Sequence, residues 1–170
     1  MLIAEILALM CLLFIGYQDL RYRAVYWICF PIVASLFLLI KTDKIGWYVS
    51  MQEAVFGLLF FALQFFLLWI YFSVKEKKRV ALTSGYLGWG DVLFLVAVSF
   101  YFSPFNYIIF YVLSMVLVLI YAIITRLVQS KKHLEIPLAG LQALMLSILI
   151  ILTFFYPNLI PYDDTWIYRL

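Results

Sequence analysis

Charge is what this sequence has least of. Lys, Arg, Asp and Glu make up 12% of its 170 residues, about half the share found in a soluble domain. So little charge cannot clothe a water-soluble fold of this size, and with 68% of residues hydrophobic and 20% aromatic the chain is excluded from the soluble and the disordered classes alike. Cysteine is also scarce. Cys11 and Cys29 lie in apolar stretches without CxxC spacing or neighbouring His or Cys, so they read as inert buried thiols, and no metal or cofactor site is expected. The single histidine, His133, stands in a basic loop with no Ser or Asp partner in view, which argues against a triad and for a solvated surface residue. Two further features are missing: a basic n-region with a small-residue cleavage site, and the alternation of a β-barrel. The first apolar run therefore reads as a retained helix.

What remains is a series of apolar runs, at about 1–17, 26–40, 48–72, 91–102, 106–124 and 138–155. Backbone polar groups in a bilayer must be satisfied within the chain, so continuous apolar runs of this kind are helices. The sequence predicts an all-α polytopic membrane protein with six transmembrane helices, built as a single membrane-embedded domain over residues 1–170. No repeat or low-complexity tract interrupts it.

The few charges are unevenly placed. Arg21 and Arg23 follow the first run, Lys75, Lys77, Lys78 and Arg79 the third, and Arg126, Lys131 and Lys132 the fifth, whereas the other side holds Lys41, Lys44 and Arg169. Cytoplasmic loops carry the excess of Lys and Arg. Both termini are thus expected outside, and the basic residues serve orientation and lipid headgroups rather than nucleic acid, for which no role is expected.

That topology puts two aspartates on one side. Asp19 ends the first run, and Asp91 opens the fourth behind Gly88-Trp89-Gly90. Ionisable residues in such segments are costly and mark function. The fourth run is also short: from Asp91 to Pro104 it reaches roughly 20 Å, against about 30 Å of hydrocarbon. Gly85, Gly88 and Gly90 suggest irregular backbone before it, with φ > 0 or a close backbone approach, beside a polar cavity. Elsewhere, Glu53 is expected to snorkel to the outer interface, Gln64 to hydrogen-bond between helices, and Tyr162, Trp166 and Tyr168 to anchor the tail.

Two neighbouring carboxylates cannot both ionise cheaply, so one keeps a proton and the pair can serve as general base and general acid toward water and a peptide carbonyl. The residues alone leave blander roles open. Asp91 could cap the fourth helix; Asp19 could cap the second, or pair with Arg21 or Arg23.

Tyr-Gln-Asp19-Leu-Arg-Tyr-Arg at the end of the first run, Gly-Trp-Gly-Asp91 before Val-Leu-Phe-Leu-Val-Ala-Val-Ser-Phe, and Pro137-Leu-Ala-Gly140 opening the sixth together resemble the GxGD membrane aspartic proteases, specifically the type IV prepilin and preflagellin peptidases. The resemblance runs over essentially the whole chain. It implies an aspartic endopeptidase with Asp19 and Asp91 as the catalytic dyad, Gly88 and Gly90 shaping the loop, and Pro137 and Gly140 packing the sixth helix beside them. It further implies a prepilin-like (type IV pilin-like) precursor as substrate, cut on the cytoplasmic side between a short basic leader and its hydrophobic helix. The setting would be the bacterial or archaeal cytoplasmic membrane, in type IV pilus assembly or protein secretion. Paired CxxC motifs, which accompany N-methylation in the long members, are absent, so no methyltransferase activity is expected. The chain departs from the family pattern at Val25-Tyr26, where a Pro-Asn pair is usual, and at Leu93, where a lysine is usual. Those departures support the alternative of a non-catalytic membrane protein, either a degenerate peptidase scaffold or a proton-coupled transporter.

Overall fold

The computed structural model describes residues 2–77, 87–128, 136–156 and 160–164. They form six helices: α1 (Leu2–Tyr22), α2 (Cys29–Ile45), α3 (Trp47–Glu76), α4 (Trp89–Val98), α5 (Pro104–Val128) and α6 (Leu138–Phe155). Each falls on one of the six apolar runs. By length and composition α1, α3, α5 and α6 suffice to cross a membrane, and such helices identify an integral membrane protein. Among the expectations, Gly85, the loop charges Lys78, Arg79, Lys131 and Lys132, His133, and Trp166, Tyr168 and Arg169 of the tail lie outside the described residues.

The bundle is organised on α1 and α6. On α1 the buried residues Ala8, Leu12, Ile15, Gly16 and Asp19 recur at intervals of three and four, a single stripe of a 3.6-residue helix. A Cβ on Gly16 would stand 3.2 Å from Leu144 of α6. Small residues at such a contact let two helices approach closely, which supplies the packing attraction that a bilayer otherwise withholds. α6 answers with Ala139, Gly140, Ala143, Leu146 and Ile150, all buried. A second tie is polar: Gln142 Nε2 donates to Ser114 Oγ of α5 at 3.0 Å, both side chains buried. Gln64 was expected to make such a bond, yet it takes no hydrogen bond among the described residues.

α4 is shorter than its apolar run. Its ten residues reach about 15 Å, half the hydrocarbon thickness. Residues 99–103 complete the path as irregular backbone with Ser99, Tyr101, Phe102 and Ser103 all buried. Irregular backbone at such a place must find partners; two bonds supply them, and a third braces the last turn of α4. Lys41 Nζ donates to the Phe102 carbonyl at 2.6 Å, Tyr107 Oη donates to the Leu95 carbonyl at 3.0 Å, and Ser103 N–H donates to the Pro161 carbonyl at 3.1 Å. Residues 160–164 are thereby held to the start of α5, with Asn106 Nδ2 donating to the carbonyls of Pro161 and Asp163 and Ser103 Oγ bonded to Asp164. Hydrogen bonds dock this part of the tail.

Lys41 corrects two expectations. It is not a loop charge but a fully buried side chain on α2, and Glu53 of α3 does not snorkel outward but pairs with it, Oε2 standing 2.9 Å from Nζ. Glu53 Oε2 accepts no aligned hydrogen bond, so the contact is an ion pair, with the carboxylate side chain 23% exposed and the ammonium not at all. Removing one member of a buried pair leaves the other uncompensated at a cost of about 3–5 kcal/mol. Since the lysine is the more deeply buried, Glu53→Gln is expected to lower stability toward unfolding in detergent by about 3 kcal/mol. Lys41→Met should cost at least as much, because it strands both Glu53 and the buried Phe102 carbonyl; a clearly smaller loss for Lys41→Met would contradict this.

Candidate active site

The four first-turn amides of a helix have no partner within it. At the start of α6 the cap residue is Pro137, a proline without an N–H, and the remaining three are accounted for in an uncommon way. The side chain of the proline offers no acceptor. Leu138 N–H turns back to the Ile136 carbonyl at 2.9 Å, and Leu141 N–H begins the helical ladder at the Pro137 carbonyl at 3.1 Å. Between them, Ala139 N–H donates to Asp91 Oδ1 at 2.9 Å, and Gly140 N–H donates to Asp19 Oδ2 at 2.6 Å. The cap of α6 is thus made by two carboxylates from two other helices, and adjacent amides bring Asp19 and Asp91 to one spot.

Each aspartate reaches this spot for a local reason. Asp19 is 9% exposed on the buried stripe of α1, one turn after Gly16, where the close approach to α6 is made. Its neighbour Gln18, also buried, accepts the Tyr26 N–H at 3.1 Å through Oε1 and so ties down the α1–α2 connection. The sequence reading did not single out Gln18; a glutamine beside an aspartate in an apolar run was the available signal. Asp91 stands at the third position of α4, and its Oδ2 accepts the Gly88 N–H at 3.1 Å, the reciprocal half of a capping box. The capping role and the site role coexist, one oxygen for each. Asp19 does not cap α2, whose first residue lacks any side-chain cap.

The glycines divide. Gly140 is required by geometry, since a Cβ there would lie 2.9 Å from Asp19 Cβ and 3.0 Å from Oδ2. At Gly88 a Cβ would meet Asp91 Oδ2 at 3.1 Å, and at Gly90 only Phe30 at 3.6 Å. Neither loop glycine uses the left-handed region that was expected: Gly88 is extended, at φ −69° and ψ 145°, and Gly90 is already within α4. What Gly88 provides is a close approach to the carboxylate it caps. Pro137 and Gly140 shape the opposite wall, one by lacking an acceptor and the other by lacking a side chain.

Electrostatically, the two carboxylates stand in each other's field, and Arg23 adds a positive charge near Asp19. The N-terminal end of α6 carries a partial positive charge of its own, which offsets the repulsion between two acids drawn to it. A carboxylate pair with aligned backbone donors on one side and a free oxygen, Asp19 Oδ1, among the described residues can hold a water and exchange protons with it.

If Gly140 matters because its missing Cβ makes room for Asp19, substitutions should grade with the contact. Gly140→Ala is expected to displace Asp19 and lower activity about a hundredfold, the scale of an ångström misplacement in a reacting group; Gly90→Ala should stay within about threefold. Relative rates of the purified variants in a cleavage assay check the order, and an inactive Gly90→Ala beside an active Gly140→Ala would refute it.

Residues 6–123 match the model of the type IV leader peptidase family. The matched stretch includes Asp19 and Asp91 and stops before the Pro137–Gly140 turn. No curated protein and no solved structure matches the chain. A family match over more than half the chain, on an all-helical membrane framework, makes this protein a member of the type IV leader peptidase family.

Proposed function

We propose that the protein is a membrane aspartic endopeptidase that uses Asp19 and Asp91 as its dyad to remove the leader of prepilin-like precursors. The single observation that carries this reading is the pair of adjacent amides, Ala139 and Gly140, each bonded to one aspartate. Two acids from helices far apart in sequence are drawn to a common point, and a third helix is spent on holding them there. Structural caps need one acceptor, not two carboxylates.

The reaction follows from carboxylate chemistry. One proton is shared by the pair, because like charges this close raise the cost of full ionisation. The ionised acid takes a proton from water as the oxygen attacks the scissile carbonyl, and the protonated acid donates to the carbonyl oxygen, giving a tetrahedral diol. Proton transfer to the amide nitrogen then breaks the C–N bond, yielding a new carboxyl and a new amine and returning the dyad to its starting state. No cofactor enters. The amides of α6 fix the carboxylates without reorganisation during the reaction, the kind of preorganisation that favours catalysis.

In this reading residues 1–170 form one peptidase unit with six membrane-crossing helices and both termini outside, and the dyad faces the cytoplasm, where the basic connections lie. The substrate is cut between a short basic leader and an apolar helix, in a bacterial or archaeal cytoplasmic membrane. The departures at Val25-Tyr26 and Leu93 bear on contacts to the leader rather than on the acids, since neither position supplies a group to the Asp19–α6–Asp91 arrangement.

Asp19→Asn and Asp91→Asn keep side-chain shape and one acceptor oxygen but cannot share a proton. Each is expected to abolish cleavage of a co-expressed pilin-like precursor while the protein still inserts and folds, with the residual rate down by at least about 10³-fold. Retained cleavage in either variant would remove that residue from the mechanism. Proton-coupled transport lost in Asp91→Asn, without any peptidase activity in the parent, would point to the transporter instead.

A further inference from the structure

Toward the dyad, α3 and α5 carry no fully buried residue. The buried residues of α3 are Ser50, Ala54, Gly57 and Phe61, and from 62 to 76 none is buried. On α5 the last buried residue is Val118, and from 119 to 127 none is buried. The two helices run in the same direction, so these C-terminal halves without buried residues lie at one end, the end of Asp19 and Asp91. A cavity of about 410 Å³ opens there between α3, α4, α5 and the start of α6.

Three of its lining residues are neighbours, along the chain or by one helical turn, of groups that hold Asp91. Leu95 stands one turn from Asp91 on the same face of α4, Leu138 precedes Ala139, and Leu87 precedes Gly88. The far wall is α3, through residues such as Gln64 and Leu68, and Met115 of α5 closes the back. A helix is about 10 Å across, so the cavity admits side chains from one helix face rather than a whole helix.

We propose that this cleft receives the apolar segment that follows the scissile bond of the substrate, which comes in laterally from the bilayer past the C-terminal half of α3. This rests on the aspartic peptidase reading above. Apolar walls select for an apolar helix, side chains spaced at i, i+3 and i+4 enter the cavity as in helix-in-groove recognition, and the bond to be cut lies over Asp91. The continuity of the walls with the dyad selects a polypeptide over a lipid chain: an acyl tail gains nothing from a cavity that leads to two carboxylates. Gln64, partly buried and without a hydrogen bond among the described residues, offers a donor and an acceptor to a backbone carbonyl or polar side chain passing along α3.

The test compares two substrates of the intact enzyme in bilayers: a precursor with its apolar segment, and a peptide that carries the leader and scissile bond but ends before that segment. The wild type should favour the precursor, and filling the cavity with Met115→Trp or Leu68→Trp should lower the ratio of kcat/KM values, precursor to peptide, about tenfold. As a measurement independent of activity, a photo-crosslinking residue at position 68 of the Asp19→Asn variant should form an adduct with the precursor's apolar segment, and one at Ile3, 74% exposed on α1 at the opposite end, should not. A wild type that cleaves both substrates equally, a ratio that survives both tryptophans, or adducts at position 68 with lipid alone would overturn the cleft. A parent that cleaves no precursor at all would instead overturn the peptidase reading, and the cleft with it.

Discussion

Two amide protons at the start of α6 govern the arrangement of this molecule. A helix that begins at a proline inside a bundle has donors to satisfy and no side chain of its own to do it, and in a low-dielectric surrounding an unmet donor costs about 1–3 kcal/mol. The chain meets that demand with Asp91 from α4 and Asp19 from α1. Conversely, two carboxylates among apolar helices need donors, and the α6 terminus supplies both the hydrogen bonds and a favourable dipole. The same pair of bonds thus solves a folding problem for α6 and a solvation problem for the acids. Neither problem has a local solution.

The rest of the bundle can be understood as keeping those bonds in register. Gly16 and Gly140 bring α1 and α6 into close contact, which sets the height of Asp19 against the α6 turn. α4 is too short to be positioned by length alone, so its far end is gripped instead: Lys41 holds the Phe102 carbonyl and is itself paired with Glu53, while Tyr107 holds the Leu95 carbonyl. A buried ion pair adds little net stability against an apolar replacement. Here it satisfies backbone where α4 gives way to turn. α3, by contrast, contributes fully buried residues only from its first half.

Much of the fold was legible because membrane helices are specified by local rules. Six apolar runs became six helices, since backbone groups in a bilayer leave the chain no alternative, and the brevity of the fourth was visible in the distance from Asp91 to Pro104. The misreadings concern partners. Lys41 and Glu53 look like interfacial charges when read singly, and only the packing of α2 on α3 shows that they neutralise each other. Gln64 and Gln142 are equivalent by composition; which one bonds across helices depends on which faces a serine. The φ > 0 expected around Gly88 was a misattribution of the glycines' purpose, since what they spare is side-chain volume near a carboxylate.

The sequence by itself determined the class of environment, the six helices of the described residues, the two aspartates and, through its family match, the kind of enzyme to which the chain belongs, because each of these is written in composition, in runs, or in short motifs. Tertiary structure decided what joins the aspartates. Residues 19, 91 and 139–140 are separated by scores of positions, and no periodicity relates them. Their meeting is set by helix crossing, by the missing side chain at Gly140, and by the demand of two unpaired amides, all of which exist only once α1, α4 and α6 are packed together.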